Sequence, residues 1–187
     1  MGRWEPNARE RLAAAALQLY AEQGYEQTTV AQIARQAGLT ERTFFRHYAD
    51  KREVLFAGSP LQELFVAAVV QAPASAPLLD VLGAGLDAAA EMFAGRHEYA
   101  LRRQAVVAAH PELQERELIK LASLAAALAE ALRGRGVPEP TATLTAEAGV
   151  AVFKVGFERW LAAAEETDMA PLTRELLDEL GRVTARS

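Results

Sequence analysis

The amino-acid sequence predicts an all-α protein of about nine helices, with a small N-terminal domain and a larger C-terminal one. Three observations predict this class. Ala and Leu dominate a chain in which 51% of the residues are hydrophobic, and such a composition favours helices. Apolar residues recur at helical spacing in one segment after another. Gly and Pro stand between these segments, where they start or end helices.

The first helix is predicted between Pro6 and Gly24. Pro fits the first turn of a helix because its missing N–H would have no partner there. Gly24 ends the pattern because Gly readily adopts the left-handed backbone of a helix cap. The apolar side chains between them recur at helical spacing and predict a buried face: Leu12, Ala15, Ala16, Leu19 and Tyr20.

Two short helices follow. Thr28 and Thr29 precede the second, where a Thr hydroxyl can accept from free N–H groups, and Gly38 ends it. The third starts at Thr40 and ends near Ala49. Together they form a helix, a tight turn and a helix, the arrangement that sets a second helix into the major groove of DNA.

The C-terminal part is predicted to hold six more helices. Asp50 is expected to cap a fourth helix from Lys51, which Gly58-Ser59-Pro60 interrupts either as a hinge or as a static kink. Further helices are expected over 78–94, 98–109, 111–132, 141–165 and 171–183.

The charge distribution points to two roles. The net charge is −5, yet residues 1–52 hold eight Lys and Arg against six Asp and Glu. Only this part could face phosphate on charge alone. The chain has no Cys, so disulfides, thiolate catalysis and Cys-based zinc sites are excluded. No apolar run is long enough for a membrane span, and we expect a soluble, cytoplasmic protein.

The third helix carries an unusual mixture of cationic and aromatic side chains. On a helical wheel, Phe44 and Tyr48 fall on one side and are predicted to be buried. Arg42 and Arg46 fall on the opposite side, flanked by Thr43 and Phe45. Arg suits bidentate contacts with guanine edges and with phosphate. Most helices of this kind only present a solvated basic edge, but the preceding helix and tight turn, the scarcity of acidic residues on this face and the Thr residues at the helix starts favour DNA binding.

The sequence TTVAQIARQAGLTERTFFRHYADKREVLF, residues 28–56, closely resembles the DNA-binding segment of the TetR/AcrR family of transcriptional regulators. The preceding ARERLAAAALQLYAEQGYEQTT resembles the first helix and turn of that family. The resemblance implies a DNA-binding domain over 1–52 and a ligand-binding and dimerisation domain over 53–187. It implies a repressor that binds a palindromic operator in double-stranded DNA as a homodimer and is released by a small-molecule inducer.

The resemblance also implies roles for single residues. The residues implied to contact DNA are Thr28, Thr29, Thr40, Glu41, Arg42, Thr43, Phe45, Arg46, His47 and Lys51. In this group Thr28, Thr29, His47 and Lys51 are expected at phosphates. The family usually has Tyr where Phe45 stands. Phe45 cannot donate that hydrogen bond, although it can still contact a thymine methyl group.

The C-terminal domain is expected to hold the inducer and the dimer interface. An inducer pocket is expected among Phe65, Val69, Met92, Phe93, Tyr99, Arg103, Phe153 and Trp160, although ordinary core packing is the commoner role for each of these residues taken singly. PELQERELIKLASLAAALAEALRGRG is similar to C-terminal domains of actinobacterial members, some of which answer to acyl-CoA-like ligands. The expected interface consists of Gly149, Val150, Phe153, Gly156, Phe157, Trp160, Leu172, Leu176 and Leu180, for which burial within one subunit is the alternative. No cofactor and no metal are expected.

Two other classes of function fit the sequence less well. An enzyme is disfavoured because His97-Glu98 lacks the second His of the zinc-protease motif, where Leu101 stands instead. No nucleophile elbow or dinucleotide-binding loop is present either. A helical small-molecule-binding or interaction protein without sequence-specific DNA binding is the main alternative, but it leaves Arg42, Thr43 and Arg46 without an explanation.

Overall fold

The computed structural model describes residues 8–56, 60–164 and 167–184. These residues form nine α-helices and no strand, which confirms the predicted class. The helices are α1 (Ala8–Gln23), α2 (Val30–Gln36), α3 (Glu41–His47), α4 (Leu61–Gln71), α5 (Leu78–Phe93), α6 (His97–Ala109), α7 (Pro111–Gly134), α8 (Thr141–Ala162) and α9 (Met169–Thr184), with a 3-10 helix, Glu53–Leu55, before α4.

The chain forms two compact units. The first comprises Met1–Ser59 and Leu101–Leu118, and the second comprises Pro60–Ala100 and Ile119–Ser187. Helices α6 and α7 therefore each contribute residues to both units. None of the helices described is long and apolar enough to cross a bilayer. The described residues also contain no group of three or more potential metal-ligating His, Cys, Asp or Glu side chains.

The first unit is built on the three N-terminal helices and their caps. Thr29 caps α2 in a capping box, accepting from the N–H of Gln32 while the Gln32 side chain accepts from the N–H of Thr29. Thr40 caps α3 by accepting from the N–H of Thr43 at 3.2 Å. Gly24 and Gly38 adopt φ angles of 86° and 64° after α1 and α2, as Gly at the end of a helix commonly does.

The core of the first unit also takes side chains from the end of α6 and the start of α7. Its fully or almost fully buried members include Leu12, Tyr20, Ile33, Phe44, Tyr48, Val54, Val107 and Leu113. The burial of Phe44 and Tyr48 confirms the prediction from the helical wheel. The discontinuous contribution of residues 101–118 was not visible in the sequence.

The prediction of a helix starting at Lys51 is wrong. Residues 51–56 form a turn and the single 3-10 helix. The Tyr20 hydroxyl donates to the Lys51 carbonyl at 2.6 Å, the oxygen that an α-helix would offer to its own backbone four residues on. Asp50 does cap this turn, because its Oδ1 accepts from the N–H groups of Arg52 and Glu53. Gly58 and Ser59 lie outside the described residues.

The second unit packs α5 against α4, α8 and α9, with α8 also packed on α9. Its core is aromatic at the centre: the rings of Phe65 and Phe153 meet edge to face at 5.9 Å. Helix α9 begins two residues before the predicted Pro171, and the Asp168 carboxylate accepts from the N–H of Ala170 at this end.

Candidate functional site

The outward face of α3 is basic and exposed, and its Arg side chains have no partner among the described residues. Arg42, Phe45 and Arg46 are exposed, and Phe45 is 56% exposed, a large fraction for an aromatic side chain. Arg42 and Arg46 form no hydrogen bond or ion pair with any described residue. The ring of Phe45 meets the buried Phe44 ring edge to face at 5.5 Å. Two cations and an apolar ring are thus held on one short, capped helix.

The start of α3 adds hydroxyl groups beside the two cations. Thr40 and Glu41 are exposed and Thr43 is half-buried. The hydroxyl groups of Thr40 and Thr43 are hydrogen-bonded to each other at 3.0 Å. This pair fixes the first turn of α3 and therefore the direction in which the following Arg side chains leave the helix.

His47 lies at the border between the core and this face. Its Nε2 atom is buried and has no hydrogen-bond partner in the described part of the chain. Burial lowers the pKa of His47, and the positive charges of Arg46 and Arg9 lower it further. The ring is therefore neutral near pH 7 in the free protein, and an anion beside it would reverse this balance.

Two residues expected at phosphates, Thr28 and Lys51, have polar groups that are hydrogen-bonded inside the first unit. Thr28 is buried, and its hydroxyl donates to the Gly24 carbonyl at 2.8 Å. Lys51 Nζ donates to the carbonyls of Tyr25 (2.9 Å) and Thr28 (3.1 Å). It also lies 4.2 Å from the centre of the Tyr25 ring. Thr29, by contrast, is exposed at the start of α2.

Arginine side chains at the corner between α6 and α7 hold the 3-10 helix. Arg103 donates to the Leu55 carbonyl at 3.1 Å and pairs with Glu117 at 2.9 Å. Arg116 pairs with Glu53. Sequence reasoning missed this cluster because the two residues of each contact are 14 to 63 positions apart, and the single polar residues carry no periodic signal.

The tyrosine of the α1–α2 turn contacts the same corner. The rings of Tyr25 and His110 lie 5.5 Å apart. Burial raises the pKa of Tyr25 well above its ordinary value, and the neighbouring Glu112 carboxylate raises it further. Tyr25 therefore stays a neutral phenol. Its ring contacts the Lys51 ammonium and also the His110 ring, which lies between α6 and α7.

Five of the eight residues expected to bind an inducer lie in one packed cluster of the second unit, in which the Phe93 ring contacts the rings of Phe153 and Trp160. Phe65, Val69 and Phe153 are part of the packed core of the second unit. Met92 is half-buried and Tyr99 is 40% exposed. Arg103 belongs to the first unit. The remaining two, Phe93 and Trp160, line a cleft of about 590 Å³ in the second unit, together with Ala90, Ala94, Gly95, His97, Glu98, Thr167, Asp168 and Met169.

The face of α8 expected at a dimer interface is largely buried within the single chain. Gly149, Val150, Phe153, Gly156 and Trp160 are all buried. The small glycines serve contacts inside the second unit: a Cβ on Gly149 would lie 2.7 Å from Leu82, and one on Gly156 would lie 2.6 Å from Thr173.

The other members of that set are partly accessible. Phe157, Leu172, Leu176 and Leu180 are half-buried. A second apolar stripe runs along the outer face of α8 at spacings of four, three and four residues, and its members are Leu144, Ala148, Ala151 and Val155.

Two family models match the chain. The first, described as bacterial regulatory proteins of the tetR family, matches residues 12–57. The second, described as the MftR C-terminal domain, matches residues 76–185. Among curated proteins, the transcriptional regulator TcmR of Streptomyces glaucescens is 46% identical over 78 residues, which is 41% of this chain. The matched segment spans only 34% of the length of TcmR.

Solved structures share the fold at low sequence identity. FadR from Bacillus halodurans, a fatty acid degradation regulator, superposes with a TM-score of 0.59 at 22% identity, covering 98% of this chain and all of that one. FadR from Bacillus subtilis in complex with stearoyl-CoA superposes with a TM-score of 0.54 at 21% identity, covering 91% of this chain and 96% of that one.

Proposed function

Because the chain belongs to the TetR family of transcriptional regulators, we propose that it is a ligand-responsive repressor that binds a palindromic operator as a homodimer and leaves it when a small-molecule inducer binds. The observation that carries the proposal is the outward face of α3. It presents Arg42 and Arg46 without partners among the described residues, within the segment that matches the model of bacterial regulatory proteins of the tetR family.

In this proposal α3 enters the major groove of the operator. Arg42 and Arg46 contact guanine edges or phosphates, and Thr43 and Phe45 complete the surface against the bases. Thr29, Thr40 and Glu41 lie at the flanks. His47 contacts a phosphate and takes up a proton as it does so.

Thr28 and Lys51 act by positioning in this scheme. Their polar groups are used inside the first unit, where they hold the turn before α2. A phosphate can approach Lys51 only beside the carbonyl oxygens that already accept its hydrogen bonds. The ammonium therefore orients the turn that presents Thr29, and its charge adds to the local positive potential.

The operator is palindromic because two copies of α3 read two half-sites. Half-sites lie about 34 Å apart, or a multiple of this distance, in helix-turn-helix complexes. We assign the contact between the two subunits to the accessible faces of α8 and α9, two helices from each subunit. The exposed stripe of Leu144, Ala151 and Val155 supports this assignment.

The dimer assignment is tested by Val155→Asp, which places a charge at the C-terminal end of the stripe. Sedimentation equilibrium should then report a monomer, and the helical circular dichroism should be unchanged. Lys154→Asp changes the charge at the neighbouring exposed position and serves as the control. A Val155→Asp protein that stays dimeric would refute the assignment.

Coupling between the inducer and the operator can use α6 and α7, because both helices contribute residues to both units. The Arg103–Leu55 and Arg116–Glu53 contacts fix the 3-10 helix to the corner between them. A shift of α6 on ligand binding would thus reach the segment that follows α3. By linkage, the inducer and the operator weaken each other by the same factor.

The DNA-binding role is tested by selecting duplexes from a random pool at moderate salt. We expect an enriched palindrome, and Arg46→Ala should then bind it at least about tenfold more weakly with a smaller salt dependence. Arg35→Ala removes another exposed Arg of the same unit and is the control. A folded dimer that enriches no sequence would refute the proposal and leave a helical ligand-binding protein as the alternative.

The class of inducer is a separate question. Stearoyl-CoA is bound in the B. subtilis FadR structure, and an acyl-CoA-like molecule is therefore one candidate. Such an anion would need cationic partners. Arg103 does not supply one readily, because its guanidinium is engaged by Leu55, Glu117 and the ring of Phe56.

A further inference from the structure

The side chain of Arg11, in the first turn of α1, reaches the turn between α2 and α3. Its Nη2 atom donates to the Ala37 carbonyl and lies 3.4 Å from the Gly38 carbonyl oxygen. A Cβ on Gly38 would lie only 2.8 Å from the same nitrogen, so the guanidinium lies directly against the backbone of this turn. The side chain is half-buried, and it joins two parts of the first unit that are 26 residues apart in sequence.

The Ala37 carbonyl receives its hydrogen bond only from this guanidinium among the described residues. The last carbonyls of an α-helix have no partner within the helix. In this turn the N–H groups of Gly38 and Leu39 donate to the carbonyls of Arg35 and Ala34, at 3.0 and 2.8 Å. No described backbone N–H donates to the Ala37 carbonyl. The guanidinium also places a positive charge at the C-terminal end of α2, where the helix dipole favours a cation.

The other end of α3 is joined to the same turn of α1. The Tyr48 hydroxyl, directly after α3, donates to the Arg9 carbonyl at 3.1 Å. Helix α3 has only seven residues, a length of about 10 Å. Contacts from two positions in the first turn of α1 therefore hold both ends of α3, and the position of this short helix depends on them.

Sequence recognition is more sensitive to the position of α3 than general attraction to DNA. Hydrogen bonds to base edges need donor–acceptor distances of about 2.7–3.2 Å, and a binding surface must be held to within about 0.5 Å to form them. Attraction between Arg side chains and phosphates has no such geometric requirement and provides most of the non-specific affinity. A loosened α2–α3 turn would thus reduce discrimination between sequences before it reduces affinity for DNA in general.

We propose that Arg11 is a positioning residue for operator recognition. By holding the Ala37 carbonyl it fixes the direction in which α3 leaves the turn, and it thereby determines how well the protein distinguishes its operator from other DNA. The inference rests on the proposed function, because it assigns a role within the same DNA complex. Arg11 acts through α3 and not by a contact of its own with DNA.

The test compares two affinities for each variant, one for the selected operator and one for a duplex with both half-sites scrambled, at the same salt concentration. In Arg11→Met the ratio of the two should fall at least about tenfold, the size of one lost base contact. Arg35→Met removes an exposed Arg of α2 and is the charge-matched control, whose ratio should change by less than about twofold. The two Met variants should bind the scrambled duplex equally.

A conservative variant separates the hydrogen bond from the bulk of the side chain. Arg11→Lys keeps the positive charge and a donor but replaces the planar fork by a single ammonium group. Its affinity ratio should therefore fall by a smaller factor than that of Arg11→Met. It also provides the test if Arg11→Met does not fold.

Hydrogen exchange provides a second measurement, which needs no DNA. The N–H groups of Gly38 and Leu39 close the α2–α3 turn, whereas the N–H of Gly24 closes the turn after α1 by donating to the Tyr20 carbonyl at 3.1 Å. In Arg11→Met the first two should exchange at least about fivefold faster and the third at an unchanged rate. A general loss of stability would instead accelerate all three.

Three results would overturn the proposal. They are an unchanged affinity ratio in Arg11→Met, an equal loss of affinity for both duplexes, which would make Arg11 a phosphate contact, and unchanged exchange at Gly38 and Leu39. Any of these in a protein that selects an operator refutes the positioning role and leaves the regulator. If the unmodified protein enriches no sequence, the proposed function and this role are both refuted, and faster exchange in Arg11→Met would then show that Arg11 only stabilises the turn.

Discussion

Replacing Lys51 by Met distinguishes a positioning cation from a DNA contact. The ammonium group joins the turn after α3 to the turn after α1 by hydrogen bonds to the carbonyls of Tyr25 and Thr28, at 2.9 and 3.1 Å. It also lies 4.2 Å from the centre of the Tyr25 ring. Met keeps a side chain of similar length but donates nothing, so Lys51→Met removes a donor from both oxygens, and the Tyr25 carbonyl keeps only the Thr28 N–H at 3.2 Å.

The expected loss follows from the number of contacts. A hydrogen bond from a charged group contributes about 1.5–3 kcal/mol, and an exposed cation–π contact contributes about 0.5–1 kcal/mol. Because Lys51 is half-buried, water can replace some of the lost hydrogen bonds and so reduce the net loss of stability. We therefore expect the free energy of unfolding to fall by about 2–4 kcal/mol, which corresponds to a drop in Tm of roughly 4–16 °C for a chain of this size.

Urea unfolding followed by circular dichroism measures this change. Arg35→Met removes an exposed cation of α2 and should shift the free energy of unfolding by less than about 0.5 kcal/mol. If Lys51→Met unfolds like the unmodified protein yet loses operator binding, Lys51 is a DNA contact and its assignment to positioning is refuted.

Two further predictions concern the two units separately. Operator affinity should increase as the pH falls from about 8 to about 6, because a phosphate would raise the His47 pKa that burial and the charges of Arg46 and Arg9 hold down, so binding takes up a proton. His47→Gln should flatten that dependence in binding isotherms, and a dependence that persists would contradict the phosphate contact. In the second unit, Gly85→Ala would place a methyl group 2.6 Å from the Phe65 ring and should cost about 1–3 kcal/mol in urea unfolding. Gly134→Ala meets nothing within 4 Å and should instead add up to about 1 kcal/mol, so similar effects at both glycines would refute the packing argument.

Much of the fold could be predicted because it depends on local signals. Period-3.6 patterns and Gly or Pro breaks predicted nine helices, and the wheel predicted that Phe44 and Tyr48 are buried. The error at Lys51 shows the limit of this reasoning. The segment has helical composition, but the Tyr20 hydroxyl, 31 residues away, takes the carbonyl that would start the helix. A tertiary contact of this kind leaves no periodic trace.

The cleft illustrates the same limit for a site. The sequence predicts Phe93 and Trp160 near a ligand, but it does not predict that His97 lies beside them in the cleft. In the sequence, His97 stands out only as the start of an incomplete zinc-protease motif, because a single His carries no spacing information. In the structure its Nε2 lies 3.1 Å from the Trp160 carbonyl, 63 residues away, and a contact over this sequence distance leaves no local pattern.

The two kinds of basic residue in the first unit differ by what surrounds them. The sequence presents Arg46 and Lys51 as equivalent cations, five positions apart in one motif. In the structure backbone carbonyls surround the Lys51 ammonium, whereas Arg46 has no hydrogen-bond or ion-pair partner among the described residues. A phosphate would have to replace the hydrogen bonds that Lys51 already makes. A cation without partners therefore gains more binding free energy from a phosphate than a cation that is already hydrogen-bonded. The exposed Arg residues are therefore expected to determine operator affinity, and Lys51 to determine the stability of the turn beside them.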